Sequence, residues 1–163
     1  NLRRSNPFEC HSIDNNKDWI EFTKSCNPDI QNVSFHHCPC NVTTFNDRIC
    51  TLYDNFPNIC PDLIYLDAPD QFSPIGNVRG ISTNHSDRLP MSADILTFEH
   101  FLLPGTLIVV DGRTANARFL KSNLQRDWSY HHSEKYDQHF FELKEKPLGI
   151  YNERQIKFCL GSN

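Results

Sequence analysis

The sequence predicts a single α/β domain built on a doubly wound, mostly parallel sheet, with helices on both faces and an antiparallel strand pair closing it. Three observations lead there. Short apolar segments alternate with stretches of about ten residues whose apolar side chains recur at helical spacing. Several of the short segments are apolar throughout, as in strands covered on both faces. Between Trp128 and Leu143, two aromatic-rich segments flank Ser133-Glu134-Lys135, which suits an antiparallel pair. The 163 residues show no internal repeat and no second domain.

Taken in order, Phe8 to Ile13 reads as a strand ending in Asp14. Trp19, Phe22 and Cys26 then fall at helical spacing, and Asn27-Pro28-Asp29 stops that helix because proline cannot continue it. Val33 to His37 is the next strand, followed by a weak helical segment from Arg48 to Phe56 that ends at Pro57. Leu63-Ile64-Tyr65-Leu66, closed by Asp67, reads as a buried strand. The Gly-, Ser- and Asn-containing stretch from Gln71 to Pro90 has no sustained period and reads as a long loop lying over a ligand crevice. Ile95, Phe98 and Leu102 share a helical face that Pro104-Gly105 terminates. A buried strand from Thr106 to Val110 follows, closed by Asp111-Gly112. Ala117, Leu120 and Leu124 make the stripe of another helix, and Asn152 with Gln155 caps a last short helix through Leu160.

The composition excludes some functions. Sixteen Lys+Arg against twenty Asp+Glu give a formal net charge of −4, with no dense basic block to grip phosphate, so nucleic-acid binding is not expected. No apolar run is long enough to cross a bilayer, so no membrane span is expected. The seven cysteines are odd in number and irregularly spaced, and several lie in segments read as buried. Reduced thiols and a cytoplasmic protein follow as the expectation. The chain opens at Asn1 rather than Met, so a preceding segment is expected.

Three predicted strands end in a carboxylate: Asp14, Asp67 and Asp111. In doubly wound sheets the ligand crevice lies outside the carboxyl ends of the strands, where such groups accept hydrogen bonds from hydroxyls or hold a hard cation. Any one of them taken singly is equally a local cap for the following turn or helix.

The succession of Phe8 to Asp14, Val33 to Asn41, Asp62-Leu63-Ile64-Tyr65-Leu66-Asp67-Ala68-Pro69 and Leu103-Pro104-Gly105-Thr106-Leu107-Ile108-Val109-Val110-Asp111-Gly112 resembles the class I S-adenosylmethionine-dependent methyltransferases, a family with a Rossmann-like fold. The segment from Ser129 to Leu143 is similar to that family's last two strands. The resemblance implies methyl transfer to a small acceptor, an oxygen, with S-adenosylmethionine as cofactor. It implies that Asp14 binds the cofactor ribose, that Cys40 lies near the adenine, and that Asp67 faces the methionine portion and the reacting centre. The family's glycine-rich cofactor loop has no counterpart here, since no glycine precedes Gly76. A truncated domain is therefore expected, with that loop upstream of Asn1. A metal-dependent subset of the family holds a magnesium ion between strand-end carboxylates, and Asp67 and Asp111 resemble that pair. Gly112 stands where the subset often has a further ligand. The other reading of both residues is structural or cofactor-orienting.

The run His36-His37-Cys38-Pro39-Cys40 carries soft ligands, yet no second Cys/His pair stands at a zinc-site distance, so it reads as a strand end with thiols packed inside. His131, His132 and His139, on the closing strands, read as surface or partly buried side chains rather than ligands. His85 and Arg88, in the long loop, are candidate substrate contacts. Two other functions stay open: a non-catalytic remnant or binding module of the same fold, and a nucleotide- or sugar-nucleotide-binding transferase. Acceptor identity and oligomeric state are not legible in the sequence.

Overall fold

A computed structural model describes residues 9–67 and 69–161. Phe8, which opens the first predicted strand, and Ala68, beside Asp67, lie outside the described residues. The described residues fall into two compact units, one from residues 59–67 and 98–161, the other from residues 9–58 and 69–97.

In the second of these units, β1 (Cys10–Asp14) pairs in parallel with β2 (Val33–His37), and α1 (Lys17–Cys26) connects them. The helix begins where Asn16 Oδ1 accepts hydrogen bonds from the Asp18 and Trp19 amides, at 2.9 and 3.3 Å, an N-cap that satisfies donors the first turn leaves open. Asp14 Oδ1 in turn accepts from the Asn16 amide at 2.7 Å. The stripe that predicted this helix does not face a core: Trp19 and Phe22 are exposed, and Ile20 is the buried residue of α1.

β3 (Cys40–Phe45) and β4 (Arg48–Tyr53) form an antiparallel hairpin. The segment predicted as a weak helix after Arg48 is thus a strand. The reason lies in Asn46-Asp47, both at positive φ (47° and 59°), a two-residue turn of the twist that matches paired strands and that Asn and Asp tolerate best among side-chain-bearing residues. Buried Cys38, Cys40, Val42, Cys50, Ala93, Ile95 and Leu96 make this unit's core. The long predicted loop, 71–90, and the residues just after it are tied to the hairpin. Ile75 exchanges backbone hydrogen bonds with Cys40 and Val42, each at 2.8 Å, and Thr51 exchanges them with Met91 and Ala93, each at 2.9 Å.

The first unit is a four-stranded sheet in the order β5-β6-β8-β7, from β5 (Leu63–Leu66), β6 (Leu107–Asp111), β7 (Trp128–Ser133) and β8 (Gln138–Leu143). Only β5 and β6 run parallel, while β8 is antiparallel to both β6 and β7. The short α2 (Asp94–Phe98) passes into a 3-10 turn (Glu99–Phe101). Two further helices are α3 (Thr114–Asn123) and α4 (Ile150–Cys159). Register puts Ile64, Ile108, Phe141 and Tyr130 in one row across the sheet, and Leu66, Val110, His139 and His132 in the next. Within those rows Ile108, Val110, His139 and Phe141 are buried, as are Ala117, Phe119 and Leu120 of α3.

The doubly wound, mostly parallel sheet predicted from the sequence is therefore incorrect. The described strands form two two-stranded sheets and one mixed four-stranded sheet. The physical cause is visible strand by strand. β8 alternates in burial along its whole length, as a strand with one packed face does. β5 is apolar throughout, yet it is an edge strand with Leu63 and Tyr65 exposed, so its composition did not report burial on both faces. Helical cover is also thin: α4 buries no residue and α1 buries one.

The mixed sheet is locked at its base by a buried carboxylate. Glu99 is 3% exposed. Its oxygens accept from the Gln125 and Arg126 amides (3.0 and 2.9 Å) and from Trp128 Nε1 (2.8 Å). Arg126 returns the contact through Nη1 to the carbonyls of Glu99 (2.8 Å) and Leu102 (2.6 Å), while its Nε donates to Glu145 at 3.0 Å. Every charged group here is met by hydrogen bonds, the condition under which burying it is tolerable.

Candidate functional site at the rim of the mixed sheet

The parallel pair β5–β6 delivers two carboxylates to one rim, because parallel strands end at the same side of a sheet. Asp111 is the last residue of β6, and Asp67 follows β5 directly. Tyr65 lies on the same face as Asp111, and its hydroxyl donates to Asp111 Oδ2 in a short hydrogen bond. From the other side Gln138, paired with Asp111 in the ladder, donates Nε2 to Oδ1 at 3.2 Å. These two donors hold the Asp111 carboxyl below the usual aspartate range, with the Tyr65 bond the larger cause. The same bond, with a smaller contribution from burial, pushes the Tyr65 phenol up to about 12. At neutral pH Tyr65 is a fixed proton donor and Asp111 a fixed acceptor.

Tyr65→Phe is expected to raise the Asp111 pKa toward the ordinary aspartate value, since the larger of its two stabilising donors is gone. A carboxylate-carbon NMR titration reads this directly, and an unchanged Asp111 midpoint would contradict the assignment of the bond.

After Asp111 the chain turns sharply. Gly112 sits at φ 59°, a conformation that side-chain-bearing residues rarely adopt, and its amide donates to the Asp137 carbonyl at 2.7 Å. That turn places Arg113 at the start of α3, where its Nε donates to Asp67 Oδ1 at 3.2 Å. Asp67 remains largely open to solvent, its side chain 71% exposed. The rim thus has one carboxylate clamped between strands and one presented outward beside a guanidinium.

The opposite face of the same sheet holds a second group of polar residues. His139 is buried, with Nε2 3.1 Å from Thr114 Oγ1 and Nδ1 2.9 Å from the Tyr130 hydroxyl. Its ring stacks on that of His132, centroids 4.1 Å apart. Burial first, and His132 second, lower the His139 pKa, so its imidazole is neutral at pH 7. Asp137 Oδ1 lies 3.7 Å from His132 Nε2.

The other residues predicted for the site belong to the other compact unit. Asp14 ends β1 and is engaged locally by the Asn16 amide. Cys40 is 1% exposed, and burial pushes its thiol up to about 12, the behaviour of a packed core residue rather than a surface contact. His85 and Arg88 are exposed and knit their own loop: His85 Nδ1 accepts from the Asp87 amide at 3.1 Å, and Arg88 Nη1 donates to the Ser82 carbonyl at 3.0 Å. The structure therefore puts Asp67 and Asp111 at one rim, while in the other unit the Asp14 carbonyl accepts from the Cys38 amide at 2.9 Å, and Asp14 and Cys40 both act on the Tyr53 phenol. Tyr65, Arg113 and Gln138 are rim residues the sequence did not single out. In the sequence Tyr65 is one position of an apolar run, and Gln138 becomes visible only once the β6–β8 register is known.

The donor set at Asp67 and Asp111 does not suit magnesium. Their partners are a guanidinium, a phenol and an amide N–H, whereas magnesium asks for a shell of oxygen acceptors and water. No family model, curated protein or solved structure matches the chain. Among the described residues, no helix is long and apolar enough to cross a membrane.

Proposed function

We propose that this chain carries the acceptor side of S-adenosylmethionine-dependent methyl transfer to a small hydroxylated molecule. The observation supporting the reading is the pair of strand-end carboxylates at one rim, Asp111 fixed by Tyr65 and Gln138, and Asp67 exposed beside Arg113. S-adenosylmethionine, when bound, supplies an electrophilic methyl group, so the protein's work is chiefly to present an acceptor oxygen in line with it. Asp67 is the residue placed to take the acceptor's hydroxyl proton, because its carboxylate is open to solvent and Arg113 fixes its orientation. Asp111 cannot serve as well, since both its oxygens already accept hydrogen bonds. Its role in this reading is to hold the rim in shape.

Asp14 has the chemistry of a ribose-binding carboxylate, but Cys40 is enclosed within the core of its unit and offers the adenine no surface. No step is therefore assigned to Asp14 or Cys40. Isothermal titration of the protein bearing this chain with S-adenosylmethionine tests the reading. Measurable heat with a Kd below about 1 mM is expected, and no heat in that range would overturn it.

A further inference from the structure

We propose that His132, Asp137 and His139 form a binding site for a divalent transition cation of the zinc class, held by three protein ligands with a further position open to water. Each offers one ligand atom, and these atoms lie within 4.8 Å of one another. The hairpin builds the group. His132 of β7 and His139 of β8 are directly paired in the ladder, so their side chains leave the sheet on the same face. Asp137, in the turn between the strands, adopts φ 51° and brings its carboxylate to 3.7 Å from His132 Nε2.

Two features favour a cation over a mere cluster. His132 Nε2 is withdrawn from water and has no hydrogen-bond partner, although the rest of that side chain is a third exposed. A buried polar atom left unmatched is uncommon, and a coordinate bond would satisfy it. His139 already has a hydroxyl at each ring nitrogen, from Thr114 and Tyr130. When one nitrogen ligates, the hydroxyl beside it has to turn away, and the hydroxyl on the other fixes tautomer and ring orientation, the usual outer support of a metal-bound histidine.

Ligand type selects the ion. Two imidazoles and one carboxylate suit zinc, cobalt, nickel or copper, and offer too few oxygens for calcium or magnesium. Three ligands with an open position are the pattern of zinc sites that keep a bound water. The stacked rings, 9° from parallel, point their lone pairs alongside each other rather than at one point. Binding therefore requires one ring to turn, and His132 is the less buried of the two.

Cobalt titration of the metal-stripped protein, followed by zinc displacement, tests the site. One equivalent of Co²⁺ is expected to give visible d–d bands without the near-ultraviolet thiolate charge-transfer band that any of the seven free cysteines would produce. His132→Ala and Asp137→Asn should each weaken the affinity at least about tenfold with far-UV circular dichroism unchanged. A spectrum dominated by thiolate bands, or variants that titrate like the unsubstituted protein, would overturn the proposal. Ring-nitrogen NMR of the unsubstituted protein gives a readout free of variants: zinc should shift the His132 and His139 resonances, and unmoved resonances at saturating zinc would overturn it equally.

Discussion

Glu99→Ala is expected to destabilise the mixed-sheet unit by about 3–5 kcal/mol, seen as a large fall in its denaturant midpoint. The size follows from what the substitution leaves behind. Two backbone amides and the Trp128 indole N–H, all donating to one buried carboxylate, lose their acceptor together, and Arg126 loses the nearby negative charge. Removing one partner of a buried, hydrogen-bonded charge set costs several kcal/mol because the other groups stay buried and unmatched. Glu99→Gln should cost less, since its carbonyl still accepts, although its amide turns a donor toward donors. A loss below about 1 kcal/mol for Glu99→Ala would mean that water replaces the carboxylate and that this network does not anchor the sheet. The same network carries an acid sensitivity. Arg126 holds the Glu145 carboxyl below its ordinary range, chiefly by hydrogen bonding. Its contribution to stability is complete above the ordinary glutamate pKa and is lost as pH falls through the lowered one.

Asp67→Ala is expected to lower methyl transfer at least about a hundredfold, the usual scale for a positioned general base, while leaving stability nearly unchanged. The second half follows from exposure. The Asp67–Arg113 pair stands at the surface, with the aspartate side chain 71% exposed, and such pairs contribute about 0–1 kcal/mol. The two readouts therefore separate. Loss of activity with an unchanged melting curve supports a chemical role, and equal loss of both would make Asp67 a structural residue. Asp67→Asn sharpens the comparison, because it keeps an acceptor for Arg113 and loses the base.

Much of the local structure was legible in the sequence. Leu63–Leu66 and the strand closing at Asp111 are where apolar runs ended by aspartate placed them, and Ala117 with Leu120 marked the buried stripe of α3. What failed was the step from segments to sheet. Apolar content suggests burial on both faces, whereas β5 lies at an edge and β8 has one packed face. The hairpin at Asn46-Asp47 was missed because Arg48 to Phe56 also fits a short helical period, and over so few residues the turn pair is the better signal. In the rim, Asp67 and Asp111 were readable because strand-end carboxylates have a local signature. Their partners were not, since Tyr65 and Gln138 reach Asp111 across a ladder whose register no local pattern sets. The histidine pair on β7 and β8 escaped for the same reason: only the register puts His132 opposite His139.

Transfer of an isotopically labelled methyl group from S-adenosylmethionine to a mixture of small hydroxylated acceptors, by the protein bearing this chain, is the most direct measurement. Label incorporated into a small molecule, and lost in folded Asp67→Ala, is the result expected. Cofactor that binds without any label leaving it would contradict catalysis at this rim and leave a binding module in its place.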